Sequence, residues 1–254
     1  MKAVMLAAGI GRRLEGGHPP KPLLNIGGKS LLERHIEVLR SRGVDQLVLI
    51  VGHRKAELRS EVERLAADDF VHLQQNPDYT RGSILSLWCA RATLSSATGV
   101  LVMDADVLYH PGLIDRLLAS PHSDCLLLDR HFEPGDEPVK VGVSNGHVVE
   151  FGKRINGAEL ELLGEWPGFL KLSAPVSGAL VSIMHEFIEA GRIDAPMEDA
   201  LRDLILRHPG MVKWEDITGV PWIEIDFAQD LERAREEILP QIEPVGRPLA
   251  LESV

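Results

Sequence analysis

Two cysteines in 254 residues, Cys89 and Cys125, rule out a disulfide framework or a thiolate metal cluster. Each lies in an apolar stretch, the ordinary setting of a buried thiol in a reducing compartment. Positive charge is also scarce: 27 Lys and Arg face 38 Asp and Glu, a formal net charge of −11. Such a surface repels phosphate polymers and anionic lipid, which excludes general binding to nucleic acid or to a membrane. No apolar run approaches the roughly 18 residues of a membrane span. The apolar start of MKAVMLAAGIGRRL stops at Gly9, too short for the core of a signal peptide, and the expected location is the cytoplasm. Aromatics make up only 5%, so a cage for a quaternary ammonium has few residues to draw on.

With 44% hydrophobic and 26% charged residues the composition is that of a globular protein with a sizeable core. The scarce cations are unevenly placed. Residues 1–30 hold Lys2, Arg12, Arg13, Lys21 and Lys29 against the single acid Glu15, which suggests a small anionic ligand held there.

Strand-length apolar runs alternate with helix-period segments, the pattern of an α/β fold with a mixed, mostly parallel Rossmann-like sheet and helices on both faces. Expected strands are Lys2–Leu6, Gln46–Val51, Phe70–Leu73, Val100–Met103, Cys125–Leu128, Val139–Val143, Val148–Phe151, Phe169–Leu172 and Trp222–Ile225. Asn145-Gly146 joins the sixth and seventh as a hairpin turn. Ser30-Leu-Leu-Glu33 reads as a capping box opening a helix with Leu32, Ile36 and Leu39 inward and Gly43 as its stop. Further helices are expected at Arg54–Ala67, Ser83–Leu94, Pro175–Ala190, Met197–Arg207 and Ala228–Leu239. The chain reads as one domain over 1–240 with a loose tail at 241–254.

The first strand runs into LAAGIGRRL (Leu6–Leu14), and Pro20-Lys21-Pro22-Leu23-Leu24 follows. A glycine loop after such a strand lets backbone N–H groups approach phosphate oxygens, with arginines nearby to neutralise them. A dinucleotide fingerprint would need a glycine where Leu14 stands, and a Walker A loop would need Gly-Lys-Ser/Thr; a plain glycine-rich turn is the structural alternative. Two prolines stiffen the backbone around Lys21 and hold its ammonium in one place. At the end of the fourth strand, Asp104-Ala105-Asp106 sets two carboxylates two residues apart, at the sheet edge where α/β enzymes place ligands. Two acids so close call for a cation, and Mg²⁺ is the natural one; a cap or turn role is the alternative for either. Asp226, after Ile223-Glu-Ile, ends an apolar strand in the same manner, unless it merely serves the dipole of the following helix.

LAAGIGRRL with Pro20-Lys21-Pro22-Leu23 resembles the signature of the nucleotidyltransferases that make NDP-sugars and CDP-alcohols, L-A-A-G-x-G-x-R-(x)n-P-K-x-L. The resemblance implies the nucleotidyltransferase fold and a nucleotide site at Leu6, Ala7, Ala8, Gly9, Gly11, Arg12 and Arg13, with Arg13 on the triphosphate. It implies Lys21 as the bridge between the phosphates of nucleotide and acceptor, and Mg²⁺ on Asp106 and Asp226, supported by Asp104. Lys153, in Glu150-Phe-Gly-Lys153, and Glu165 fall in segments that in this family meet the acceptor, and Arg130 is a further cation for it. Gln75, Gly82 and Ser83 lie where relatives read the nucleobase. The absence of a Gly-Thr-Ala/Gly stretch at 81–83, with the short chain, points to the small cytidylyltransferases acting on phosphocholine, inositol phosphate or phosphonates. The expected reaction joins CTP to a small anionic phosphate or phosphonate with release of pyrophosphate. The extra cations favour an acidic acceptor. A sugar-1-phosphate or molybdopterin-type enzyme using another NTP, and a nucleotide-binding module without turnover, are the competing readings; a homodimer stays open.

Overall fold

A computed structural model describes residues 1–14, 17–95, 99–133, 135–155 and 159–242. The strands are β1 (Lys2–Ala7), β2 (Asn25–Ile26), β3 (Lys29–Ser30), β4 (Gln46–Val51), β5 (Val71–Gln75), β6 (Val100–Asp104), β7 (Val107–Tyr109), β8 (Cys125–Leu128), β9 (Lys140–Ser144), β10 (His147–Gly152), β11 (Leu162–Glu165), β12 (Phe169–Leu172), β13 (Lys213–Asp216) and β14 (Trp222–Glu224). The α-helices are α1 (Leu31–Ser41), α2 (Lys55–Arg64), α3 (Ser83–Cys89), α4 (Arg91–Leu94), α5 (Gly112–Ala119), α6 (Ala174–Glu189), α7 (Met197–Arg207), α8 (Ala228–Arg233) and α9 (Leu239–Ile242).

Seven strands form the main sheet in the order β13-β8-β12-β6-β1-β4-β5. Only β12 runs antiparallel to its neighbours, so the sheet is mixed and mostly parallel. Its central strands are apolar at nearly every position because both faces are covered. Val4, Val48, Ile50, Val100 and Val102 pack on one side under α3, α6 and α7. Ala3, Met5, Leu47, Leu49, Leu101 and Met103 pack on the other under α1, α2 and α5. Burying each such aliphatic side chain is worth about 1.5–3 kcal/mol, so the sheet is a rigid floor for whatever its strand ends carry.

Local sequence accounts for several boundaries. Ser30 Oγ accepts the Glu33 N–H at 3.0 Å and caps α1, while the Glu33 carboxylate pairs with Arg64 of α2. Gly43, at φ +72°, follows the α1 C-cap. Asn145 and Gly146, both at positive φ, turn β9 into β10. The expected single helix at 83–94 breaks at Ala90 into α3 and α4. The last helical run passes from α8 through a π turn, Ala234–Ile238, into α9. The strand expected at Phe70–Leu73 is shifted to β5, and the one expected at Trp222–Ile225 ends at Glu224. β7, β11, β13, α5 and the β2–β3 hairpin have no counterpart in the sequence reading. The expected tail lies, from residue 243 on, outside the described residues. No described helix is long and apolar enough to cross a membrane.

Buried beneath the β6–β7 turn, His35 of α1 faces Tyr109 Oη through Nδ1 at 3.1 Å and the Ala105 carbonyl through Nε2 at 3.4 Å. Nε2–H donating to the carbonyl and Nδ1 accepting from tyrosine satisfies both contacts with a neutral ring. Burial holds the pKa of His35 down at about 4, against a small opposing pull from the Ala105 carbonyl. The unfolded chain therefore binds one more proton between pH 4 and about 6.5, and stability falls as pH drops through that window. Denaturant titrations at pH 7.5 and 5 are expected to differ by about 2 kcal/mol from this residue. A His35→Gln protein should show a shallower slope; an identical slope would place the acid sensitivity elsewhere.

Candidate active site

The carboxyl ends of β1 and β6 and the loop before α3 surround a cleft of about 260 Å³. Leu6, Ala7, Ala8, Gly9 and Gly11 form one wall, with Lys21 and Pro22 beside them. Asp104 and Asp106 stand opposite, and Arg81, Ser83 and Tyr79 close the end beyond β5. Arg12 faces an adjoining groove with His53 and Arg54, on the outer side of the glycine loop.

Lys21 opens a short 3₁₀ turn whose next residue, Pro22, is buried. Its ammonium lies 2.8 Å from Asp106 Oδ2 and 2.6 Å from Asp226 Oδ1, joining residues 85 and 205 positions away. Burial works against that charge, yet the two carboxylates outweigh it and raise the Lys21 pKa. Burial alone would raise Asp226 too; Lys21 and then Arg13 overrule it and hold this carboxylate low. Arg13 pairs with Asp226 at 2.9 Å and with Glu137 at 2.8 Å, and Glu137 also pairs with Lys153 at 2.9 Å. Arg13, Lys21 and Lys153 thus converge on one linked set of carboxylates. Lys153 comes from the end of the β9–β10 hairpin, which explains how a residue far along the chain reaches the first loop.

Asp106, Glu224 and Asp226 each bring a carboxylate oxygen within 4.8 Å of the others. Three hard oxygen donors at that spacing suit a divalent cation such as Mg²⁺, which one or two carboxylates commonly hold alongside phosphate oxygens. An ammonium already bridging two of them shows that the cluster is built around positive charge. Asp104 lies deeper. Burial first, and then Asp106 and Glu224, push its pKa well up, against an opposing pull from Lys21. Gly168 admits it: at φ +90°, a β-carbon there would stand 2.5 Å from Asp104 Oδ2, so only glycine suits both the torsion and the space.

Some expected contacts are arranged differently. Gln75, at the exposed edge of β5, accepts from Lys55 Nζ at 2.6 Å and does not line the cleft. Gly82 is turned into the protein against Asp194 and Ala195, leaving Arg81 and Ser83 as the lining. Ser83 Oγ accepts the Met197 N–H at 2.8 Å and so caps α7. Arg130 pairs with Asp216 at 2.9 Å, donates its backbone N–H to Thr218 Oγ1 at 3.0 Å, and lines neither this cleft nor the hollow beside it. Glu165 lies in that neighbouring hollow, with Asp226 and Trp222.

Three acids join the site beside the expected metal and phosphate-binding residues. Glu224 shares the strand face of Asp226, and the alternation of Trp222, Glu224 and Asp226 is the signal that marks it. Glu198, at the N-terminal turn of α7, has a buried Oε2 without a hydrogen bond and borders the cleft beside Met197. Glu137 follows a loop with no periodicity, and nothing in the sequence singled it out.

The family model described as MobA-like NTP transferase domain matches residues 3–165. A bifunctional IPC transferase and DIPP synthase of Rubrobacter xylanophilus is 31% identical over 241 residues, 93% of this chain and 52% of its own length. The choline-phosphate cytidylyltransferase of Streptococcus pneumoniae is 33% identical over 251 residues, 94% of this chain and 98% of that one. This chain therefore spans about half of the first relative and nearly all of the second. The inositol-1-phosphate CTP transferase from T. maritima superposes with a TM-score of 0.78 at 20% identity, over 97% of this chain and 98% of that one.

Proposed function

The chain belongs to the MobA-like NTP transferase family, and on that premise we propose that it transfers a cytidylyl group from CTP to a small phosphate or phosphonate acceptor. An acceptor oxygen attacks the α-phosphorus, the bond to the β-phosphate oxygen breaks, and pyrophosphate leaves. The observation that carries this reading is the Lys21 ammonium, held between Asp106 and Asp226 at the mouth of a glycine-walled cleft.

Backbone N–H groups of the 6–11 loop, with Arg12 and Arg13, would receive the triphosphate. Lys21 stands where two anions must meet and offsets their repulsion, while Lys153 approaches from the acceptor side. The acceptor oxygen is already ionised near neutral pH, so position and charge neutralisation supply the catalysis and no general base is required. Asp106 and Asp226, with Glu224 beside them, would hold Mg²⁺, which when bound neutralises charge on the α-phosphate. Met197 and Glu198, on α7, border the same cleft.

Pyrophosphate release from CTP, UTP, GTP, dTTP and ATP, each offered phosphocholine, inositol 1-phosphate, 2-aminoethylphosphonate and glucose 1-phosphate, tests the reading. CTP is expected to exceed every other nucleotide at least tenfold with one of the first three acceptors, and chelation of Mg²⁺ should abolish the signal. Faster release from another nucleotide with glucose 1-phosphate would replace this reading with that of a sugar-nucleotide enzyme.

A further inference from the structure

The backbone is tied down on both sides of Asp106. On its C-terminal side, the Asp106 carbonyl accepts the Ile225 N–H at 3.0 Å, and Ile225 stands between Glu224 and Asp226. β7 and β14 continue this pairing, with Val107 opposite Glu224 and Tyr109 opposite Trp222. On its N-terminal side, the peptide unit that joins Ala105 to Asp106 is planar, so the direction of the Ala105 carbonyl fixes the plane from which Asp106 springs. That carbonyl is met by His35 Nε2 at 3.4 Å, and His35 Nδ1 is met by Tyr109 Oη at 3.1 Å. A carbonyl can only accept, so Nε2 carries the proton and the tyrosine hydroxyl donates to Nδ1. Tyr109 in turn meets Phe169 in an edge contact, ring centroids 5.0 Å apart, and Phe169 follows the Gly168 that makes room for Asp104.

His35 is a costly residue where it stands. It is 1% exposed, on a stripe of α1 otherwise made of Leu31, Leu32, Ile36 and Leu39. A leucine would continue the stripe without burying two polar nitrogens. The same helix is joined by backbone to the Lys21 turn: the Leu31 N–H donates to Leu24 O at 3.2 Å and the Leu24 N–H to Lys21 O at 3.0 Å. α1 therefore links two sides of the site, the ammonium through its first residue and the Asp106 backbone through His35. We propose that His35 and Tyr109 are positioning residues of the cation site. They hold the peptide between Ala105 and Asp106 so that the Asp106 carboxylate stands at binding distance from Glu224 and Asp226, and they set the affinity for a divalent cation without touching it. The proposal rests on the three-carboxylate cluster as the place for Mg²⁺, and not on the identity of nucleotide or acceptor. Groups held behind metal ligands govern affinity in this manner in other metal sites, because they orient the donors.

The experiment titrates the full chain with Mn²⁺, whose free form electron paramagnetic resonance counts directly, with and without an unreactive CTP analogue. No turnover is needed for this reading. His35→Leu, which removes both contacts, is expected to weaken Mn²⁺ binding about tenfold, and Tyr109→Phe, which removes the hydroxyl alone, about threefold. His35→Gln, whose amide can donate to the carbonyl and accept from the tyrosine, should recover most of the loss. Leu39→Ala, one turn along the same face, opens a cavity and lowers the thermal midpoint, yet should bind Mn²⁺ as the wild type does. The Mg²⁺ concentration that gives half-maximal pyrophosphate release should rise in step with the Mn²⁺ dissociation constant. Unchanged Mn²⁺ affinity in His35→Leu and Tyr109→Phe, an equal loss in Leu39→Ala, or no Mn²⁺ binding by the wild-type chain at millimolar concentration in either arm overturns the proposal. Tyr109→Phe decides alone where His35→Leu does not fold. An affinity margin that persists in a chain releasing no pyrophosphate from any nucleotide would sink the transfer reading and uphold the positioning role.

Discussion

Replacing Lys21 by alanine is expected to lower pyrophosphate release by about two to three orders of magnitude, the usual cost of removing one pre-placed charge from a reaction centre. The ammonium is fixed by its backbone, with Pro20 and Pro22 on either side, and by carboxylates from two distant strand ends. Without it Asp106, Glu224 and Asp226 face one another with Arg13 as the remaining direct partner, through Asp226 alone. Those acids can take up protons or a metal ion, so the fold survives, and the thermal midpoint should move by no more than a few degrees. Arginine is a poor substitute, because a planar fork cannot occupy a point between two single oxygens; Lys21→Arg should recover little. Wild-type turnover in Lys21→Ala would remove this residue from the reaction.

A second large effect is expected at Gly82, and it concerns space alone. Its φ of −64° is open to any residue. A β-carbon there, however, would stand 2.1 Å from the Ala195 carbonyl oxygen and 2.4 Å from the Asp194 carbonyl carbon. Both obstacles are backbone and cannot swing aside. The two segments are also joined by Gly82 N–H to Ile193 O at 3.2 Å, by Ser83 Oγ to the Met197 N–H, and by Arg81 to both oxygens of Asp194 at 2.6 Å. Gly82→Ala must therefore part them, at about 3 kcal/mol and about 10 °C of thermal midpoint in a chain of this size. The nucleotide KM should rise as Arg81 and Ser83 shift in the cleft wall. Gly178→Ala gives the contrast: it lies inside α6 with nothing within 4 Å of the added carbon, so it should stabilise by up to about 1 kcal/mol. Equal midpoints for the two variants would show that the 81–83 and 193–197 segments are not held together as described.

These two residues mark what the amino-acid sequence discloses and what it withholds. Gln46–Val51, Cys125–Leu128 and Phe169–Leu172 were legible as strands because both faces of the sheet are buried and the apolar run has no gaps. Asn145-Gly146 and Ser30 were legible because turn and cap chemistry is local. β13, Lys-Trp-Glu-Asp at the sheet edge, has only half-buried residues and no apolar run to find. The Lys21–Asp226 pair spans 205 residues, and a motif suggests that both serve one site without saying that they touch. Gly82 reads from the sequence as a loop glycine, but its reason is a backbone neighbour more than 110 positions away. Aromatic side chains are few, at 5%, and Phe132, Trp222 and Phe227 border one hollow only because β14, α8 and the loop after β8 converge.

β12 carries a consequence for the order of biosynthesis. It lies between β6 and β8, so a nascent chain that has emerged only through β8 has those two strands without the neighbour that joins them. By then the glycine loop, Lys21 and Asp106 have all left the ribosome, while Asp226 is still to be translated. The glycine loop and Lys21 therefore exist before one of the carboxylates that holds the ammonium, and the Lys21–Asp226 pair closes only after the intervening segment has been made. The ammonium of Lys21 thus gains its second carboxylate partner many seconds after it is itself synthesised, at the usual 5–20 residues per second.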